Sequence, residues 1–312
     1  MIQSARLIQT VTVAAPAKTS HALWLGDARD LSHLADGSVE LVVTSPPYGS
    51  LKEYPDSPGQ MGNMESYDGF LGELDRVWKE CFRVLVPGGR VCAVVGDICL
   101  SRRKAGRHQV LPLSADIQVR GRGLGFEVLT PIIWAKVSNI AMEASRSSRF
   151  LGKPYLPGGV VKNDRETIVM LRKPGYRKPT REMEDASRIA KQDYFDWFVP
   201  IWTGVTGAST RNHPAPYPIE IPRRLISMFS FAGDTILDPF GGTGTTSEAA
   251  ARLGRSSISV EVEPDYIPLA RQRLAGYQTR LSPETPTDLG AYPLDKQTLT
   301  PRLLDATTPY VP

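Results

Sequence analysis

Short apolar runs alternate along this chain with longer segments in which apolar residues recur every three or four positions. The short runs are β-branched or continuously apolar, as in strands buried on both faces. They predict strands at Val39–Thr44, Arg90–Val95, Glu127–Trp134, Thr167–Leu171, Thr235–Leu237 and Ser257–Glu261. The longer segments predict helices at Tyr67–Val84, Ser114–Gly121, Ile219–Phe229, Thr245–Arg252 and Pro264–Leu274. This alternation indicates an α/β fold with a mostly parallel sheet flanked by helices.

Four stretches depart from this rhythm. We expect residues 1–20 to be a short flexible lead and 277–312, rich in Pro and Thr, to be an extended tail. Residues 99–112 and 137–202 are rich in Arg, Lys, Gly and aromatic residues, and we interpret them as insertions on the sheet. The remaining domain would span 21–276.

Composition excludes several classes of protein. With 41% hydrophobic and 22% charged residues, the chain is typical of soluble globular proteins. No apolar run approaches the ~20 residues of a membrane span. Three cysteines, Cys81, Cys92 and Cys99, are too few for a disulfide scaffold or a zinc site, which fits a reducing cytoplasm.

Positive charge is concentrated in one part of the chain. Between Ser101 and Arg181 there are 17 Lys and Arg residues against 5 Asp and Glu, a local excess of +12. The overall net charge is only +4, so the rest of the chain carries −8. Such segregation favours a face that meets a polyanion, and a solvated basic loop is the alternative.

A glycine-rich turn follows the predicted strand that ends at Leu237. The segment from Asp238 to Thr246 reads Asp-Pro-Phe-Gly-Gly-Thr-Gly-Thr-Thr. Glycines here allow a ligand to approach the backbone closely, but no Lys follows them, which excludes a phosphate P-loop. Glu261 ends the next predicted strand, 23 residues after Asp238, where a carboxylate can accept both hydroxyls of a ribose. The pattern predicts a nucleoside-cofactor site, against the alternative of a tight turn with no ligand.

A rigid loop follows the strand at Val39–Thr44. Ser45-Pro46-Pro47-Tyr48 has two prolines, which fix φ and remove two backbone donors. The loop offers a hydroxyl, a carbonyl without a local partner and an aromatic ring, a set that can hold an extruded base. An ordinary Pro-Pro loop is the alternative.

Together these motifs resemble those of the DNA amino-methyltransferases. Ser45–Tyr48 is similar to the catalytic motif of that family, and Asp238–Gly244 is similar to its cofactor motif. The segments 213–218 and 221–226 resemble the region that precedes the cofactor motif. The catalytic motif comes first, an order similar to the circularly permuted β-class. With Ser at position 45, the catalytic motif is most similar to that of the members that methylate cytosine N4. In members that methylate adenine N6, the first residue of the motif is more often Asp or Asn.

The resemblance implies a Rossmann-like sheet that binds S-adenosylmethionine and flips a base out of double-stranded DNA. The implied catalytic residues are Ser45, Pro46, Pro47 and Tyr48. The implied cofactor residues are Asp27, Ala28, Thr44, His213, Pro214, Asp238, Pro239, Phe240, Gly241, Gly242, Thr243, Gly244, Thr245, Thr246, Glu261 and Val262. No metal is expected. The three cysteines are interpreted as structural, which argues against carbon-5 cytosine methylation, because that reaction needs a thiolate.

The resemblance implies that the two insertions are target-recognition elements. Their basic residues are therefore candidates for contacts with DNA. These candidates are Arg102, Arg103, Lys104, Arg107, Arg146 and Arg149. The aromatic stretch from Asp193 to Trp202 is expected to pack the insertion onto the body rather than to stack on bases. The sequence is compatible with a homodimer. It is also compatible with a cognate restriction endonuclease that need not bind the enzyme. Methylation of adenine N6 and a non-catalytic DNA-binding regulator are the alternative functions.

Overall fold

The computed structural model describes residues 5–15, 17–48, 59–64, 66–100, 105–136, 164–206 and 218–275. The strands are β1 Arg6–Ala15, β2 Ala17–Leu25, β3 Val39–Thr44, β4 Leu85–Val95, β5 Ile98–Leu100, β6 Gln109–Leu111, β7 Glu127–Val128, β8 Ile132–Ala135, β9 Arg165–Arg172, β10 Ile201–Trp202, β11 Thr235–Asp238 and β12 Ser256–Glu261. The α-helices are α1 Tyr67–Val84, α2 Leu113–Gly123, α3 Arg181–Ala186, α4 Lys191–Trp197, α5 Glu220–Phe229, α6 Thr245–Arg252 and α7 Tyr266–Ala275. Within these ranges, no helix combines the length and the apolar character that crossing a membrane requires.

One large mixed sheet organises the fold, with strand order β1-β2-β12-β11-β3-β4-β9-β8-β10 and β7 beside β9. The strands from β2 to β4 in this order are parallel, and β9 runs antiparallel to both β4 and β8. The carboxyl ends of β2, β12, β11, β3, β4 and β8 therefore meet at one edge of the sheet. The expected α/β class is confirmed.

Helices cover both faces of the sheet because alternate strand residues point in opposite directions. On one face, Val42 of β3 joins the core formed by α1 and α2, and Val39 joins it too because the register of β3 shifts between Val39 and Leu41. On the other face, Leu41 and Val43 of β3 pack with apolar residues of α5 and α6. The chain leaves β3 through α1 on the first face and leaves β11 through α6 on the second. Neighbouring strands whose connections diverge in this way leave a crevice between their carboxyl ends.

The N-terminal segment differs from the expected flexible lead. β1 and β2 form an antiparallel hairpin whose register runs from Arg6 opposite Leu25 to Ala15 opposite Ala17. β2 also pairs in parallel with β12 over five residues. His21 of β2 is buried, and its Nδ1 lies 2.9 Å from Ser257 Oγ. The polar residues Thr19 and His21 thus belong to the interior of the fold.

The expected insertions also differ in extent from the structure. Residues 165–172 and 201–202 are strands of the main sheet, so the segment 137–202 is only partly an insertion. Trp197 and Trp202 are buried in the core with α5, which agrees with the packing role expected for this aromatic stretch. The strand expected over 127–134 is split into β7 and β8, and Pro131 between them lacks the N–H that a continuous ladder needs.

The first expected insertion, 99–112, contains most of a separate two-stranded hairpin formed by β5 and β6. It follows β4 after two residues, so it extends from the edge of the sheet where the crevice lies. The expected tail, 277–312, is outside the described residues.

Candidate active site

A buried hydrogen-bond network joins the ends of β3 and β11. Thr44 is the last residue of β3, and its Oγ1 donates to Asp238 Oδ1 of β11 at 2.7 Å. Thr246, in the first turn of α6, donates to Asp238 Oδ2 at 2.5 Å, and the Phe240 N–H donates to Oδ1 at 3.1 Å. The loop that begins at Ser45 and the glycine turn after Asp238 therefore lie side by side, as the sequence predicted.

The Asp238 carboxylate is only 2% exposed. Burial raises its pKa to about 6, and the hydrogen bonds from Thr246, Thr44 and Phe240 oppose that rise because they stabilise the charged form. Since its oxygens face Thr44 and Thr246, Asp238 lies behind the glycine turn and braces it against β3.

Close packing explains the glycines of the turn. A Cβ on Gly241 would collide with Ser259 Oγ of β12. Gly244, the N-cap of α6, has φ +81°, and a Cβ there would lie 2.9 Å from Ala270 Cβ of α7. Both positions accept only glycine without rearrangement, because any side chain would push the turn away from its neighbours.

Glu261, the last residue of β12, places a second carboxylate at this edge. Its Oε2 accepts from the Gly242 N–H at 2.6 Å, and its Oε1 accepts from the Glu263 N–H at 2.8 Å. It is 9% exposed, and burial raises its pKa to about 7 against these two hydrogen bonds. A carboxylate has about four lone-pair positions, so two remain for a ligand.

A pocket of about 610 Å³, counting its open mouth, lies in the crevice between the two turns. Its lining combines the Ser45 loop, the glycine turn, the end of β12 and the segment after β2. The lining residues are Gly26, Asp27, Ala28, Ser45, Pro46, Pro47, Gly59, Gln60, Met61, Pro239, Phe240, Gly242, Val260, Glu261, Val262 and Tyr266.

Asp27, which follows β2, is held by an ion pair. Arg29 Nε donates to both Asp27 carboxylate oxygens, at 2.9 and 3.0 Å. The Arg29 guanidinium also pairs with Glu73 of α1, and it lies 3.4 Å from the Gly59 carbonyl oxygen. Arg29 thereby ties one wall of the pocket to helix α1 and to the Gly59 loop.

Ser45 is placed at the mouth of the crevice by the backbone of β4. Its Oγ donates to the Val94 carbonyl oxygen at 3.1 Å. Tyr48 is buried beside Gly96, where an added Cβ would lie 3.3 Å from the tyrosine ring. The absence of a side chain at Gly96 makes room for that ring.

The structure brings most of the predicted site residues to this edge, but in two layers. Asp27, Ala28, Pro239, Phe240, Gly242, Glu261 and Val262 line the pocket, together with Ser45, Pro46 and Pro47. The residues that support the pocket from behind are Thr44, Asp238, Gly241, Thr243, Gly244, Thr245 and Thr246. His213 and Pro214 lie outside the described residues, as do Arg102, Arg103, Lys104, Arg146 and Arg149. Arg107 is exposed between β5 and β6.

Sequence reasoning missed Gln60, Met61 and Tyr266. Tyr266 begins the helix after the Glu261 strand, so its place at the same edge could have been inferred from chain order. Gln60 and Met61 carry no such signal, because their position depends on how the chain folds back between Tyr48 and α1.

Two of the three cysteines, Cys81 and Cys92, do not offer a nucleophile at this site. Cys81 and Cys92 are fully buried, and burial raises the pKa of both thiols, that of Cys92 to about 12. Neither can supply a thiolate near neutral pH.

Known proteins are similar in sequence to this chain over most of its length. A family model for N6 and N4 enzymes, described as DNA methylase, matches residues 39–272. The Type II methyltransferase M.MjaI of Methanocaldococcus jannaschii is 36% identical over 84% of this chain and 94% of its own length. M.MthZI of Methanothermobacter thermautotrophicus, also named a Type II methyltransferase, is 35% identical over 82% of this chain and 77% of its own length.

Two solved structures show the same fold. A candidate DNA modification methylase from Thermus thermophilus, complexed with S-adenosyl-L-methionine, is 49% identical with a TM-score of 0.69, covering 82% of this chain and 94% of that one. The PvuII DNA methyltransferase, described as cytosine-N4-specific, is 22% identical with a TM-score of 0.59, covering 82% and 86%. At that identity the second likeness concerns the fold alone.

The fold and the site define a methyltransferase of the Rossmann-like class. More particularly, the chain belongs to the N6/N4 DNA methylase family.

Gly241→Ala should destabilise the protein by about 1–3 kcal/mol, because the new Cβ overlaps Ser259 Oγ. Combining it with Ser259→Ala should recover part of that loss, since the overlapping oxygen is then gone. Chemical denaturation of the two single variants and the double variant measures the coupling. Strictly additive free energies of unfolding would contradict the proposed contact.

Proposed function

We propose that this enzyme transfers a methyl group from S-adenosylmethionine to the exocyclic N4 amine of a cytosine flipped out of double-stranded DNA. The observation that carries the proposal is Ser45, a neutral hydroxyl at the pocket between two rigid turns. As part of the same proposal, the enzyme belongs to a restriction-modification system or is derived from one. The two archaeal relatives, both named Type II methyltransferases, support that assignment.

S-adenosylmethionine is the cofactor, and the residues of the pocket fit it. Glu261 has acceptor positions left for the ribose hydroxyls, and Val262 offers an apolar surface to the adenine. The glycine turn, held close to β12, leaves room for the methionine portion. When bound, this cofactor supplies an electrophilic methyl group on a positively charged sulfur.

The Ser45 loop would prepare the target amine. The lone pair of an exocyclic amine is delocalised into its ring, so the amine is a poor nucleophile. Hydrogen bonds from the amine to Ser45 Oγ and to the Pro46 carbonyl oxygen favour a tetrahedral nitrogen with a localised lone pair. Ser45 can turn to the amine by giving up its hydrogen bond to the Val94 carbonyl. Holding the nitrogen in line with the methyl group lowers the activation barrier of the transfer, because the reacting atoms are already oriented.

Tyr48 is buried and does not line the pocket, so stacking on the flipped base, a contact worth ~1–3 kcal/mol, requires its ring to be uncovered when DNA binds. Its place beside Gly96 holds the ring next to the Ser45 loop. The Ser45 hydroxyl is too weak a base to remove the amine proton, and the proton passes to water after methyl transfer.

DNA would be bound on the same edge of the sheet. The hairpin of β5 and β6 follows β4 directly and carries the exposed Arg107. Together with the basic residues 102–104, 146 and 149 of the sequence, it forms the proposed target-recognition region. Lys and Arg at such positions bind phosphates or guanine edges.

Product analysis tests the modified base. Double-stranded DNA from cells that express the enzyme should contain N4-methylcytosine, identified by mass spectrometry after digestion to nucleosides. Methylation-sensitive sequencing of the same DNA gives the sequence context. N6-methyladenine as the product would contradict the cytosine assignment, and absence of both would favour a DNA-binding regulator.

Ser45→Ala should lower kcat by about 10²–10³, the effect typical of removing one hydrogen-bonding group from a transition state. The affinity for S-adenosylmethionine should change by less than about threefold, because Ser45 would act on the base. Single-turnover methylation and calorimetry measure the two quantities. Ser32→Ala, at an exposed serine, is the matched control. A parallel loss of cofactor affinity in Ser45→Ala would remove Ser45 from its proposed role.

Cofactor affinity should fall below neutral pH because of Glu261. The pKa of this carboxyl is raised to about 7, so it becomes protonated as the pH falls through that value and loses acceptor positions for the ribose. We expect the Kd for S-adenosylmethionine to rise by up to about tenfold per pH unit below 7. Glu261→Gln, which cannot titrate, should bind more weakly at pH 8 and lack this dependence. Identical pH profiles for the two proteins would argue against ribose binding by Glu261.

A further inference from the structure

A second cavity lies at the opposite edge of the sheet. It has a volume of about 1490 Å³, counting its open side, and is lined by the residues around Arg90 at the start of β4, by the end of α5 and by one side of α4. We call it the amino-edge cavity. The six residues of β3 span about 20 Å between the two edges. A ligand here would be remote from the reacting amine.

Two arginines face each other across adjacent strands at this cavity. Arg90 of β4 is directly opposite Arg172 of β9, so both side chains leave the same face of the sheet. Like charges in that relation destabilise a strand pair. Arg172 Nε is compensated by Glu127 Oε2 at 2.6 Å.

Arg90 has no such compensation among the described residues. Its Nε is buried without a hydrogen-bond partner, and its guanidinium lies 4.6 Å from the centre of the Phe229 ring. Three acids also line the cavity, but Glu40 and Asp234 pair with Arg177, and Glu184 of α3 forms no ion pair with Arg90. Burial lowers the pKa of Arg90, and the charge of Arg172 acts in the same direction. A buried donor without a partner calls for an explanation, and a bound anion would provide one.

Aromatic rings extend from Phe229 along the same cavity. Phe198 meets Phe229 edge to face, with ring centres 6.1 Å apart. Tyr194 stacks on Phe198 at 4.6 Å. Tyr194 is 51% exposed and Phe198 42% exposed, unusual values for large rings that already contact one another. They offer a platform for a flat apolar group next to the arginine.

We propose that the amino-edge cavity binds a small molecule that carries a phosphate or carboxylate group beside a planar ring. Arg90 holds the anionic group, and the ring lies on Phe198 and Tyr194. A guanidinium is suited to both anions through paired N–H donors. This cavity and the pocket at the Ser45 loop lie at opposite edges of the sheet and share no lining residue, so the ligand is not the cofactor.

Calorimetry with phenyl phosphate, benzoate and inorganic phosphate tests the proposal on the full chain, with S-adenosylmethionine present at saturation to block the cofactor pocket. Phenyl phosphate or benzoate should bind, and which of them binds more tightly identifies the anion. Arg90→Met should weaken that binding at least tenfold. Phe198→Ala should weaken phenyl phosphate or benzoate while leaving inorganic phosphate unchanged. Arg188→Met, at an exposed arginine paired only with Asp185, is the matched control and should bind as the parent does.

Cofactor affinity, measured first for every variant, shows that each is folded and keeps this test separate from the one on catalysis. If Arg90→Met does not fold, Phe198→Ala decides the matter, because Phe198 is 42% exposed and lies outside the buried core. Binding that is unchanged in Arg90→Met, or no binding of either aromatic anion at about 10 mM, overturns the proposal. The proposal is also overturned if a single-stranded oligonucleotide binds the parent protein and this binding is lost in Arg90→Met, since the occupant would then be a nucleic acid.

Discussion

The Asp238 carboxylate, buried between β3 and the start of α6, is the interaction on which the site depends. It accepts hydrogen bonds from one hydroxyl on each side, Thr44 and Thr246, and so fixes the distance between the two loops that follow their strands. A buried carboxylate is costly unless it is well satisfied, and here three donors reach it. The loop proposed to hold the base and the turn proposed to hold the cofactor are therefore positioned by one group that need touch neither ligand.

The sequence predicted this edge of the molecule well because the information there is local. The bounds of β3, α1 and α6 follow from uninterrupted apolar or helical patterns, and the structure has the same limits. Adjacent parallel strands must end at a common edge, so the Ser45 loop and the glycine turn could be placed together before any coordinates. The division into lining and supporting residues could not be predicted, since it depends on which way each buried oxygen points.

Other features were beyond the sequence because they depend on distant partners. His21 looks like a surface residue in the pattern, yet it is buried because Ser257, far along the chain, lies beside its ring. Part of the basic excess between 101 and 181 is neutralised within the fold. Arg120, Arg172 and Arg177 form ion pairs with Asp75, Glu127 and Asp234 within the body of the fold.

The two acids that line the cofactor pocket differ in their surroundings, and this difference separates their roles. Asp27 is neutralised by Arg29, which also fixes it to α1, so its carboxylate contributes to the wall of the pocket. Glu261 has no cation in ion-pair contact among the described residues and is held by two backbone N–H groups that leave acceptor positions open. Burial without a counter-charge raises the pKa of Glu261 to about 7. A ligand with two neighbouring hydroxyls would donate to the charged form and stabilise it, so ribose binding and ionisation of Glu261 should be coupled.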